Sequence, residues 1–283
     1  MKSKLFYLLL VINAGMLAWG TYAGLKLAPT EQTMGDVQRI FYCHVPSAVT
    51  GFTLFFLNFI ASIVYLWKRS PAADAFALSS AEVGVVFCTV VLVTGPIWAR
   101  YAWGTWWVWD MRLTTTLILW LLYVSYLVLR KSSEAGSTSV LAAALAIFAF
   151  LDVPIVYMAN RWFRTNHPQP MIGTPNLDPR MQNILFFNMF AFLIFGLLIA
   201  WFRYDLERIA QKLATLHIQR AARGVMAALI PAMFLQVPTH SGWAPNTYLV
   251  TAYVACWSIY VIYLLTLLAK LKGLQREQLE LGR

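Results

Sequence analysis

The chain has 283 residues, of which 60% are hydrophobic and only 12% charged, against roughly 45–50% and 25% in an ordinary soluble domain. That balance excludes a soluble globular protein and implies a membrane protein. The formal charge of +10 would suit a nucleic-acid partner, but its placement along the chain speaks against one.

A hydrocarbon core of ~30 Å needs about 20 apolar residues per helical span, and the sequence supplies eight uncharged runs of that order. The first, Leu5 to Leu25, follows Lys2 and Lys4 without an A-x-A cleavage pattern and is expected to be a retained signal anchor. The segment Ala28 to Ala48 comes next and contains His44 within Phe41-Tyr42-Cys43-His44-Val45-Pro46. Two spans, Val49 to Trp67 and Val83 to Ala99, are joined by a short connector rich in Ser, Ala and charge.

The stretch Arg100 to Arg112 is the most informative in the chain. Trp103, Trp106, Trp107 and Trp109 place four tryptophans in seven positions, where 12 in 283 residues would give about 0.3. One reading is an interfacial aromatic belt, although belts normally scatter their tryptophans. The other is an apolar platform with indole N–H donors at its edge, suited to a large planar aromatic ligand. Asp110 is placed to cap the following helix and meet its positive dipole end, which leaves Arg112 as the freer group for an anion.

The fourth and fifth spans run Leu113 to Leu129 and Val140 to Ala159. Asp152, beside Pro154, is an intramembrane carboxyl, either functional by default or a bundle-facing hydrogen-bonding group. The segment Asn160 to Asn183 carries His167, followed by the sixth span, Ile184 to Phe202. Arg203 to Arg223 has Leu206, Ile209, Leu213, Leu216 and His217 at helical spacing, the pattern of an amphipathic helix on the membrane surface. A short seventh run, Val225 to Pro238, precedes His240 and the last span, Tyr248 to Ala269.

The fold class is therefore all-α, a polytopic helical bundle, because the runs lack the alternation of barrel strands. With the N-terminus inside, 15 of the 22 Lys and Arg fall in cytoplasmic segments, so most of the basic excess is topological. Both termini are then cytoplasmic, and the segments with His44, the tryptophans and His167 are external. Cys43, Cys88 and Cys256 form neither C-x-x-C nor C-x-x-C-H, which excludes a c-type cytochrome or a dithiol reductant. A neutral imidazole is the commonest haem iron ligand. His44 and His167 flank the tryptophan segment, whereas His217 and His240 have no aromatic or basic setting.

Trp103-Gly-Thr-Trp-Trp-Val-Trp-Asp110-Met-Arg112-Leu-Thr resembles the tryptophan-rich WWD signature of the haem-handling family that includes CcmC and CcsA. A histidine before the second span and another between the fifth and sixth match the CcmC arrangement, over about residues 1 to 215. The resemblance implies a haem-delivery protein of the bacterial inner membrane rather than an enzyme. It presents haem on the external face, with His44 and His167 as axial iron ligands and Trp103, Trp106, Trp107, Trp109 and Asp110 as the platform. Arg112 would then pair with a propionate, since guanidinium binds carboxylate bidentately. The implied partners are the haem chaperone CcmE, the small protein CcmD, and the transporter subunits CcmA and CcmB.

Residues 216–245 read as a connector holding the seventh span. Residues 246–283, one apolar span with a charged end, resemble CcmD, a single-span protein with its N-terminus outside; attaching such a helix to a six-span core requires one more outward crossing. The competing readings are a membrane b-type cytochrome, which holds haem by histidines well within its spans, and a solute transporter, for which the spans carry few ionisable residues apart from Asp152.

Overall fold

The computed structural model describes residues 4–131, 137–169, 172, 177–221 and 245–281, and its regular elements are all helices. These are α1 (Lys4–Tyr22), α2 (Phe41–Lys68), α3 (Pro71–Trp103), α4 (Met111–Lys131), α5 (Ser137–Phe150), α6 (Asp152–Trp162), α7 (Pro179–Ala221) and α8 (Pro245–Leu281). Among the described residues seven helical segments are long and apolar enough to cross a membrane, with α5 and α6 together making one of them. The expected run Val225 to Pro238 lies outside the described residues.

Two elements differ from the sequence reading. The fifth span breaks at Leu151, where α5 ends and α6 begins. Pro154 has no N–H for the Phe150 carbonyl, and its ring clashes with that carbonyl in a continuous helix. The break sets Asp152 in the first turn of α6, nine-tenths buried, with Oδ2 lacking a hydrogen-bond partner among the described residues. The stretch Arg203 to Ala221 is a direct continuation of α7 rather than a separate surface helix. Neither Pro nor Gly interrupts it, and Leu206 and Leu213 are buried at 0% and 2% exposure.

The helices α2 and α3 form the centre. On one side α7 packs against both and α8 against α3 and α7, with α1 outside α7; on the other lie α4, α5 and α6. Without a hydrophobic driving force between helices in lipid, small residues and polar side chains must hold such contacts. Gly84 of α3 lets the Phe55 ring of α2 approach so closely that an added Cβ would lie 2.6 Å from Cε1, and Phe55 in turn stacks on Tyr123 of α4 with centroids 3.7 Å apart. Asparagines bond across helices, Asn13 Nδ2 to Ala191 O at 2.9 Å and Asn58 Nδ2 to Ala77 O at 2.8 Å.

The two ends of the bundle differ in chemistry. At one end Arg130 of α4 makes a bidentate pair with Asp74 of α3. There also the buried Arg203 of α7 bonds Glu82 of α3 and Glu207, each at 2.8 Å, with Lys270 of α8 3.9 Å from Glu207. The opposite end collects the N-termini of α2, α4, α7 and α8 and the C-termini of α3 and α6. Here Arg39 is buried and fully engaged: it bonds Asp36 (3.0 Å), Gly24 O (3.2 Å), Leu25 O (2.9 Å) and Thr30 Oγ1 (3.1 Å). It thereby pins the π-helical turn Ala23–Leu27 to the 3-10 turn Asp36–Ile40 that leads into α2.

Candidate functional site

The tryptophan segment begins where α3 stops. Gly104 takes φ 73, a left-handed conformation that glycine adopts without steric cost and that commonly ends helices. Arg100 donates to Gly104 O, and the Thr105 hydroxyl donates to Trp107 O at 3.2 Å, so the turn is closed by its own side chains. The four indoles do not stack into one layer. Trp103 meets Trp98 edge-on at 5.3 Å, Trp107 meets Trp109 edge-on at 5.7 Å, and Trp106 lies 6.4 Å from Tyr248 of α8. Trp109 is 77% exposed and Trp106 44%, whereas the Trp107 Nε1 donor is buried with no partner among the described residues.

Asp110 bonds in two directions. Its Oδ1 accepts from Leu113 N at 2.9 Å, the N-cap bond of α4, and its Oδ2 accepts from Asn166 N at 3.0 Å. The residue after Asn166 is His167, so one carboxylate joins the tryptophan segment to the histidine loop. Arg112 Nη1 donates to Val156 O (2.9 Å) and Tyr157 O (3.3 Å) of α6. It ties α4 to α6, and only its Nε and Nη2 make no hydrogen bond among the described residues.

His44 and His167 stand 123 positions apart in sequence, yet they are electrostatic neighbours of each other and of Arg112. Each has its Nδ1 engaged. His44 Nδ1 lies 2.8 Å from Thr94 Oγ1 of α3, and His167 Nδ1 lies 3.0 Å from the Pro168 carbonyl. Donation to that carbonyl puts the His167 proton on Nδ1 and leaves Nε2 with its lone pair. Burial, and then the nearby Arg112 charge, lower the His167 pKa from 6.5 to about 4, outweighing the raising effects of the Pro168 bond and of Asp110. The imidazole is therefore neutral at physiological pH.

Asn160 organises the same loop, and the sequence reading passed over it. Its Nδ2 donates to Pro168 O at 2.8 Å and lies 3.1 Å from His167 Nδ1, while its own carbonyl accepts from Gln169 at 2.8 Å. An amide at a span end, seven residues before a candidate histidine, was the available signal. His217 and His240 fall among residues whose side chains are not described.

The donor set suits a planar iron chelate. Among the described residues the Nε2 atoms of two imidazoles and one buried indole N–H make no hydrogen bond, and exposed indole faces lie at the same end. Asp110→Ala should remove two bonds to a charged acceptor, each worth about 1.5–3 kcal/mol, and free the loop of His167. We expect a protein that still folds but loses most haem retention, checked by absorption after detergent purification. Haem retention at the parental level in a folded Asp110→Ala protein would show the clamp to be unimportant.

Fold and site together define a multi-pass helical membrane protein with two histidines and a tryptophan-rich segment gathered at one end. The profile of CcmC, heme exporter protein C, matches residues 1–219. The chain belongs to the heme exporter protein C family, a transport family of cytochrome c biogenesis. It is 31% identical over 187 residues to heme exporter protein C of Escherichia coli strain K12, covering 66% of this chain and 76% of that protein. It is 33% identical over 214 residues to the Haemophilus influenzae protein of the same name, covering 72% and 84%. A third, from Bradyrhizobium diazoefficiens, is 31% identical over 212 residues, covering 74% and 80%.

Proposed function

We propose that the chain binds haem at the external face of the inner membrane between His44 and His167 and delivers it to a haem chaperone for cytochrome c maturation. The observation that carries this reading is the placement of the two imidazoles at one end of the bundle, within electrostatic reach of each other and each with Nδ1 engaged, at the end that also carries the exposed tryptophans. Haem is cargo here, and its iron would take one axial bond from each Nε2.

Trp106 and Trp109 offer exposed indole faces to the macrocycle, Trp103 supports the segment through Trp98, and Trp107 Nε1 is a donor for a propionate edge. Nε and Nη2 of Arg112 are the further propionate donors. Asp110 acts by holding the segment and the His167 loop together. Placement at the bundle end rather than mid-span favours transient holding over electron transfer within the membrane. The 15 of 22 Lys and Arg in the segments read as internal, Arg130, Arg203 and Lys270 among them, support reading the opposite end as cytoplasmic by the positive-inside rule.

The chaperone is of the CcmE kind, and CcmA and CcmB supply the transporter that releases it. Residues 1–215 act as the haem-handling core, 216–245 as the connector, and 246–283 as a CcmD-like helix fused to it. Support for the last comes from α8 lying beyond the family match, which ends at residue 219, and from its packing against α3, α7 and the 3-10 turn that leads into α2. The test is an absorption spectrum of the full chain purified in detergent and loaded with haem. We expect a sharp low-spin bis-imidazole signature; a protein that cannot be loaded overturns the reading.

A further inference from the structure

We infer that Thr94 is a positioning residue for His44, its hydroxyl fixing the imidazole tautomer that leaves Nε2 as the electron-pair donor. The inference rests on the proposal that His44 is an axial ligand.

The Thr94 hydroxyl has one proton, and Val90 O lies 2.8 Å away one turn back in α3. This is the back-bond that threonines in helices make, and it commits the proton. What Oγ1 can still offer is its lone pairs. His44 Nδ1 lies 2.8 Å from the same oxygen. An oxygen whose proton is used elsewhere attracts an imidazole nitrogen only if that nitrogen carries hydrogen, so Nδ1–H donates to Thr94 and Nε2 is bare. In the other tautomer Nε2 would hold the proton and could not bind a metal without losing it.

Thr94 is fully buried, so no bulk water competes for the contact. The next residue of α3 lies beside the ring, where a Cβ added at Gly95 would make ordinary contact with His44 Cε1 at 3.4 Å. The ring is thus fixed to α3 by its hydrogen bond to Thr94. A bond of this kind orients a metal ligand and raises its basicity. A more basic imidazole favours ferric over ferrous iron, so the contact should lower the reduction potential of bound haem. Simple packing support would leave that potential unchanged.

The full chain, loaded with haem, is compared with Thr94→Val, which keeps the shape and removes the acceptor, and Thr94→Ser, which keeps the hydroxyl. Thr94→Ala serves as a second variant that cannot overpack if the valine protein does not accumulate. Haem affinity, read by transfer to apomyoglobin, should fall about 10–100-fold in the variants without a hydroxyl. Their reduction potential should rise, and Thr94→Ser should match the parent in both. Parental affinity and potential without the hydroxyl would overturn the inference, as would equal loss in the valine and serine proteins. His44→Ala distinguishes the underlying reading: retention of the parental spectrum there overturns the ligand assignment itself, independently of Thr94.

Discussion

His44→Ala and His167→Ala should each abolish stable haem retention, a loss of more than about 100-fold and thus beyond the range of changes around a ligand. On the proposed reading each imidazole supplies one of two axial bonds, and the other two histidines of the chain are His217 and His240. Alanine at those two positions should leave the spectrum unchanged. Equal loss from all four would make the assignment uninformative. Retention should also resist mild acid at His167. Its pKa is depressed from 6.5 to about 4, so protons compete for its Nε2 only as pH falls toward about 4. A titration of the loaded protein that lost the His167 bond near pH 6.5 would contradict that protected environment.

How far the sequence reached depends on the range of the interaction that sets each feature. Seven of the eight expected spans, all but Val225 to Pro238, which lies outside the described residues, and the tryptophan density of residues 103–109 were legible, because hydropathy and composition are local quantities. The break at Leu151 was less so, for hydropathy reads Val140 to Ala159 as one run and registers Pro154 only as a residue. The continuation of α7 past Phe202 depends on Arg203 reaching Glu82, 121 residues away, which no periodicity reports. Thr94 and Asn160 were missed for the same reason. A hydroxyl in an apolar run looks like any helix threonine until α2 brings His44 against it. Arg112 was read as a free cation because the sequence cannot display the α6 carbonyls that occupy its Nη1. The tryptophans were expected to lie flat together, but segment geometry turns them into edge-on pairs and sends Trp106 toward α8.

That turn toward α8 gives the C-terminal helix its largest expected effect. Along one face α8 buries Tyr248, Ala252, Tyr253, Cys256, Tyr260 and Leu267. Three of its hydroxyls bond the core: Tyr253 to Arg39 O at 3.1 Å, Tyr260 with Ser47 at 2.9 Å, and Tyr263 to Glu82 at 2.9 Å. The first lies beside the turn that leads to His44 and the last joins the charged cluster at the opposite end, so these bonds fasten the middle of α8 from one end of the bundle to the other. Tyr260 is the centre, with Phe87, Phe195 and Phe192 at 4.7, 5.4 and 6.2 Å. Lipid would replace water-excluded area if α8 left, so the loss is of packing and hydrogen bonds rather than hydrophobic burial. Tyr260→Ala alone should cost about 3–5 kcal/mol, the scale for truncating a buried aromatic, and lower the melting temperature in detergent. Ending the chain after Ala221 should lower it further and, on the CcmD-like reading, impair release of the loaded chaperone while His44 and His167 still bind haem. Because α8 joins the core sideways as one helix, residues 245–283 expressed separately with their own initiator should restore both properties. A truncated protein with parental melting and release would make α8 a peripheral packing helix, and the fused-partner proposal would fall with it.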